Sequence, residues 1–140
     1  MLLATILTSI TTALTIVIHY EALKLVHAWH LRKPGGTRAS VITCVFFLFA
    51  AHAAEVWLFA GALYIAMEQL HLGTLEGAFD GTWRDYLYFS VVTYASVGYG
   101  DIRPTGYLRT ISGFAALTGI LMMAWSAAYT VFRLQRHWTE

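Results

Sequence analysis

Between Met1 and Tyr20 there is no lysine, arginine, aspartate or glutamate. About 20 uncharged residues make a helix long enough to cross the roughly 30 Å hydrocarbon core of a bilayer, so this run predicts a membrane span. A cleaved leader is the competing reading, but no basic residue precedes the apolar run and no A-x-A-like site follows it. Two more stretches of the same kind come later: Ala39–Met67, interrupted by His52 and Glu55, and Leu108–Phe132, closed by Arg133, Arg136 and His137. Three spans in 140 residues, 58% of them hydrophobic and 12% charged, exclude a free-standing soluble domain. The 9 basic and 8 acidic residues nearly cancel, which removes the electrostatic case for nucleic acid. The predicted partners are the lipid bilayer and other membrane-embedded chains, with no soluble partner. Cys44 stands alone in an apolar run and can form neither an intrachain disulfide nor a cysteine-based metal site.

The first helix is expected to continue as an amphipathic stretch through Glu21, Lys24 and His27 to Leu31. Arg32-Lys33-Pro34-Gly35-Gly36 should end it in a short basic turn. Between Glu68 and Gly81 the sequence turns acidic and glycine-rich and reads as an extramembrane loop. Lys24, Arg32, Lys33, Arg38, Arg133 and Arg136 put six basic residues on one side of the membrane, against Arg84, Arg103 and Arg109 on the other. The positive-inside rule then places the basic turn and the C-terminus in the cytoplasm and the N-terminus outside. The acidic loop faces outside, where Glu68, Glu76 and Asp80 would concentrate cations near a pore mouth. No regulatory domain is expected after the last span.

Residues 82–107, TWRDYLYFSVVTYASVGYGDIRPTGY, carry the most specific pattern. Thr82 followed three positions later by Asp85 fits a capping box, which starts a helix too short to span. Beyond it, Gly98 and Gly100 alternate with other residues, and glycine alone adopts left-handed backbone geometry without a Cβ penalty. Alternating handedness lets successive carbonyls point the same way. At membrane depth such irregular backbone is tolerated only where it lines a cavity.

The run Thr93-Tyr94-Ala95-Ser96-Val97-Gly98-Tyr99-Gly100-Asp101 resembles the signature of the potassium-channel pore loop, and the order of segments from Ala39 to Phe132 is that family's too. The resemblance implies an all-α membrane protein with three transmembrane helices plus a re-entrant pore helix and selectivity filter. Residues 1–38 would form an N-terminal helix and basic turn, and 39–140 a pore domain. Within that domain lie an outer helix 39–67, a pore helix 82–95, a filter 96–100 and an inner helix 108–133. One filter per chain supplies one wall of a pore, so the resemblance implies a homotetramer. By the same likeness, carbonyls of Ser96, Val97, Gly98 and Tyr99, with the Ser96 hydroxyl, would hold potassium ions in stacked sites. Threonine is usual where Ser96 stands, and serine keeps the hydroxyl while losing a methyl. Thr93 and Tyr99 would pack between pore helix and filter, Gly100 would complete the filter backbone, and Tyr88 and Phe89 resemble an aromatic cuff. Val92 replaces a carboxylate found in some members, leaving Asp101 to bond Tyr88 or Trp83 or to face water. Gly119 lies near the family's inner-helix hinge, though close packing explains a glycine there equally well.

His52 and Glu55 lie one turn apart in the second span and can share a face. Ionisable residues at that depth are costly, so the pair acts either as a satisfied polar lock or as a proton sensor. His19, His27 and His30 read as interfacial. The function implied is passive, potassium-selective conduction, with no enzymatic activity and no organic cofactor. A non-selective cation pore is the nearest alternative. From other classes stand a small membrane cytochrome with haem between His19 and His52, and a non-conducting membrane subunit.

Overall fold

The computed structural model describes residues 1–31 and 38–139; the basic turn at Arg32–Gly36 lies outside the described residues. The element order is α1 (Leu2–Leu31), α2 (Arg38–Tyr64), a π-helical turn (Ile65–Gln69), β1 (Leu75–Gly77), α3 (Trp83–Tyr94), β2 (Ile102–Pro104) and α4 (Leu108–Thr139). Three helices are long and apolar enough to cross a membrane: Leu2–Trp29, Ala39–Gln69 and Leu108–Gln135. The last helix runs past Arg133 to Thr139. Basic side chains do not stop a helix; near its C-terminus they complement the dipole.

Packing fixes the directions of the helices. Leu7 sits against the cluster of Leu63, Ala66, Phe89 and Ile111, whereas Leu23 and Val26 pack on Cys44 and Leu48 with Tyr129 alongside. α1 therefore runs antiparallel to α2 and parallel to α4, and its N-terminus lies at the same end as the 70–81 loop. The buried face of α1 consists of Ala4, Thr8, Thr11, Thr15, His19, Leu23 and Val26, while Ile6, Ile10, Leu14 and Val17 face outward. Spacings of three and four residues put the former set on one stripe. Lipid is as apolar as leucine, so small and hydroxyl residues turn inward where they allow close approach. Their hydroxyls are satisfied locally: Thr8 donates to the Ala4 carbonyl at 2.7 Å, Thr11 to Leu7 at 2.8 Å and Thr15 to Thr11 at 2.9 Å.

Two contacts position α3. A Cβ at Gly119 of α4 would lie 2.0 Å from the Tyr94 carbonyl oxygen, so α4 and the end of α3 meet backbone to backbone. Of the hinge and packing readings of Gly119, this approach supplies a physical reason for packing. Before α3, the loop expected from sequence carries a strand: β1 pairs antiparallel with β2, with Leu75 opposite Pro104 and Gly77 opposite Ile102. The pairing is extended by Thr105 N–H to the Thr74 carbonyl and Tyr107 N–H to the Leu72 carbonyl, both 2.8 Å, and by Ala78 N–H to the Asp101 carbonyl at 2.9 Å. Gly77, at φ +102° with room for a Cβ only 2.1 Å from the Asp101 oxygen, is required there.

Gly119→Ala and Gly77→Ala should each destabilise the protein by about 3 kcal/mol through backbone clash. Gly61→Ala, where a Cβ meets nothing within 4 Å, should be neutral or slightly stabilising. Thermal unfolding in detergent measures all three, and equal Tm values across the set would contradict the contacts.

Candidate functional site

α3 is twelve residues long, or about 18 Å, and cannot span. Its start is fixed by Asp85, whose Oδ2 accepts from Thr82 Oγ1 at 2.9 Å, Thr82 N–H at 3.0 Å and Asp80 N–H at 3.1 Å. The Thr82 hydroxyl bond, first among these, holds the Asp85 carboxyl below its ordinary value. Along its length α3 is anchored by Tyr86, whose hydroxyl donates to Glu68 Oε1 at 2.5 Å, and by Ser90, whose hydroxyl donates to the Val56 carbonyl at 2.7 Å. Phe89 is buried with Leu63, Leu108 and Ile111, and Val92 is buried beside it on α3.

The amides just beyond α3 close its last turn. Ser96 N–H donates to the Thr93 carbonyl at 2.9 Å, and Val97 N–H and Gly98 N–H donate to the Val92 carbonyl at 2.8 and 3.2 Å. With Ala95 as C-cap and Ser96 at φ +56°, this is a Schellman motif with serine in the left-handed position that glycine usually takes. A β-branched threonine would be more strained at that φ, which gives a backbone reason for serine here. Gly98 at +52° and Gly100 at +82° continue the left-handed alternation. The amides of Ser96, Val97 and Gly98 are thus spent on the end of α3. Among the described residues, no hydrogen bond reaches the carbonyls of Ser96, Val97, Gly98 or Tyr99.

Residues 95–100 are exposed along the flank of the chain, Tyr99 to 72%. Within one chain Tyr99 is therefore not packed against α3, and the segment 96–100 borders an open groove of about 480 Å³. Thr93, Ser96, Gly98 and Gly100 line this groove on one side and Ser112 and Gly113 on the other. Of the partners foreseen for Asp101, the structure selects Tyr88, whose hydroxyl donates to Asp101 Oδ2 at 2.7 Å. Trp83 lies instead against Trp57 and Tyr64, with ring centroids 5.8 and 5.7 Å away. Tyr88 and its neighbour Phe89 therefore serve different faces, one turned to Asp101 and one to the core.

His52 and Glu55 do come together, within a larger group than the sequence indicated. Glu55 Oε1 lies 2.9 Å from His19 Nδ1 and Oε2 lies 3.1 Å from His52 Nδ1. Tyr94, at the last turn of α3, donates its hydroxyl to Glu55 Oε2. Ser126 Oγ of α4 lies 3.0 Å from His52 Nε2 and 3.3 Å from His19 Nε2. The interfacial reading of His19 is corrected: its side chain is fully buried. The reason is its place on the inward stripe of α1, a periodic signal present in the sequence at Thr8, Thr11, Thr15 and His19. His27 is exposed. The haem reading fails on space, since the His19 and His52 rings are 5.1 Å apart and closed off by Glu55 and Ser126.

A three-span membrane chain with a capped re-entrant helix and a glycine-alternating, carbonyl-bearing segment has the architecture of the pore-loop channels. Residues 39–136 match the ion channel family, and the chain belongs to it, with the potassium-channel type of pore loop. α1 lies outside the matched residues. The chain is similar to the inward rectifier potassium channel Kirbac3.1 of Paramagnetospirillum magnetotacticum, 34% identical over 91 residues, 64% of this chain and 30% of that protein. It is also similar to Protein LctB of Geobacillus stearothermophilus, 45% identical over 53 residues, 38% of this chain and 40% of that one. The match to Protein LctB of Bacillus caldotenax is 48% over 49 residues, 35% of this chain and 37% of that one. The chain spans less than half the length of these curated relatives. No solved structure matches it.

The hydrogen bond to Asp101 raises the Tyr88 phenol above its ordinary value. The donating, protonated form is present below the ordinary tyrosine value near 10 and is lost only as pH rises through the raised one. Ion flux should therefore stay flat as the pH on the Tyr88 side of the membrane passes 10. Tyr88→Phe and Asp101→Asn should each reduce flux, and the double variant should be no worse than the poorer single one. Additive losses would separate the two residues.

Proposed function

We propose that the chain forms a homotetramer that conducts potassium selectively and passively, with the carbonyls of Ser96, Val97, Gly98 and Tyr99 as the ion ligands. The observation that carries this reading is the set of four successive carbonyls without hydrogen bonds, on backbone that alternates into the left-handed region at Ser96, Gly98 and Gly100. Such a row replaces the water shell of a desolvated cation. One chain leaves the row open on its outer flank, so an enclosed path needs further copies, and the groove beside it offers a place for a neighbour's residues. The likeness to an inward rectifier potassium channel supports the choice of ion. Thr93, Phe89 and Gly100 support the filter from the side of α3, and Tyr88 with Asp101 from the outer mouth. The N-terminus lies outside and the C-terminus in the cytoplasm, supported by the six-to-three basic asymmetry and by the shared end of α1 and the outer loop.

Purified protein in liposomes should pass potassium much faster than sodium, and equal fluxes would establish the non-selective pore instead. Gly98→Ala and Gly100→Ala meet no atom within 4 Å, so their cost is about 1–2 kcal/mol of backbone conformation rather than a clash. Both should assemble and lose most of their selective flux. Normal flux through either would remove these residues from the ion path. Cross-linking should stop at four chains, and a cysteine at residue 2 should label only from outside sealed vesicles.

A further inference from the structure

We propose that His19, His52 and Glu55, with the Tyr94 hydroxyl, form a binding site for a zinc-class divalent cation that ties α1 to the pore domain. Both histidines turn Nδ1 toward one carboxylate, at 2.9 and 3.1 Å, and Nε2 toward one hydroxyl oxygen, that of Ser126, at 3.0 and 3.3 Å. Ligand atoms of the three residues lie within 4.8 Å of one another. A tetrahedral zinc ion with bonds of about 2.0–2.1 Å holds its donors about 3.3 Å apart, slightly more than the two histidine–glutamate distances, each of which runs to a different carboxylate oxygen. Tyr94 Oη, bonded to Glu55 Oε2 and 3.2 Å from His52 Nδ1, is near enough to act as a fourth donor.

Hydrogen counting favours a cation in this place. A neutral imidazole has one N–H, so each histidine can donate to Glu55 or to Ser126 but not to both. Two neutral imidazoles, Tyr94 and Ser126 supply four hydrogens for the five contacts of Glu55 and Ser126 with these residues. A cation on the Nδ1 side removes the shortage: each ring then carries its hydrogen on Nε2, and both donate to the two lone pairs of Ser126 Oγ. Metal-bound histidines characteristically have their second nitrogen held in this way. Charge points in the same direction. The Glu55 side chain is fully buried, and among the described residues its ion-pair partners are these two histidines alone, so the neutral-imidazole cluster carries a buried negative charge. Imidazole and carboxylate donors suit zinc and its neighbours rather than the permeating ion. His52 is 19% exposed and lines a groove between α2 and α4.

The site is independent of the filter reading, and its test does not involve flux. The full chain is purified in detergent, stripped with a chelator and dialysed against zinc, and bound metal is counted; cobalt in place of zinc reports tetrahedral coordination by its visible absorption. One ion per chain is expected, with a raised Tm. His19→Gln, His52→Gln and Glu55→Gln should abolish binding, and His27→Gln, on the exposed face of α1, should leave it unchanged. Ser126→Ala keeps every ligand but removes the shared acceptor, and should weaken binding by about 10–100-fold; it decides the matter even if the ligand variants fail to assemble. Absence of stoichiometric metal in the wild type would overturn the proposal and leave a shared proton as the neutralising charge. Wild-type affinity retained in Ser126→Ala and His52→Gln would overturn it as well.

Discussion

The Glu55 carboxylate is the point on which the helices converge. A charge in hydrocarbon costs several kcal/mol unless its oxygens are paired, so every element that satisfies Glu55 is held in place by that need. His19 brings α1, Tyr94 brings the end of the pore helix, and Ser126 reaches the same group from α4 through both histidines. Lipid removes the hydrophobic drive between spans, and polar contacts with close packing take its place. Gly119 shows the packing side of this arrangement, since α4 meets the Tyr94 carbonyl at a distance that no Cβ permits.

Tyr94 belongs both to this polar group and to the last turn of α3, two residues before Ser96. The carbonyl-bearing segment from Ser96 to Gly100 is tethered at both ends. At the inner end its amides close the pore helix on the Val92 and Thr93 carbonyls. At the outer end Asp101 is bonded by Tyr88 through its side chain and by Ala78 through its backbone, and β2 is paired with β1. Between these anchors the carbonyls stay free of internal partners. A segment whose first three amides are used and whose carbonyls are not is suited to bind cations.

α1 is an addition to the matched channel segment, yet it is not a loosely attached anchor. Its inward face bears threonines that bond to their own helix and a histidine that bonds to the pore domain's buried carboxylate. Removing it would leave Glu55 short of one partner. The helix therefore carries part of the solvation of a group lodged in the middle of α2.

Much of this was legible in the residues alone. The long apolar runs marked the three spans, because a bilayer demands length and apolarity and little else; Thr82 and Asp85 marked the start of α3; and the glycine alternation after Ser96 marked the backbone with free carbonyls. The pairing of His52 with Glu55 followed from helical spacing. Contacts between elements were a different matter. That His19 and Tyr94 complete the group around Glu55, and that Ser126 lies across both histidines, depends on how four helices rotate about their axes, which a weak apolar asymmetry in lipid leaves undetermined. The three-residue strands β1 and β2 are too short to show alternation, and the choice of Tyr88 over Trp83 for Asp101 was set by which face of α3 the core had claimed. Local chemistry and span length are written along the chain, but partners distant in sequence exist only once packing has brought their helices to one side.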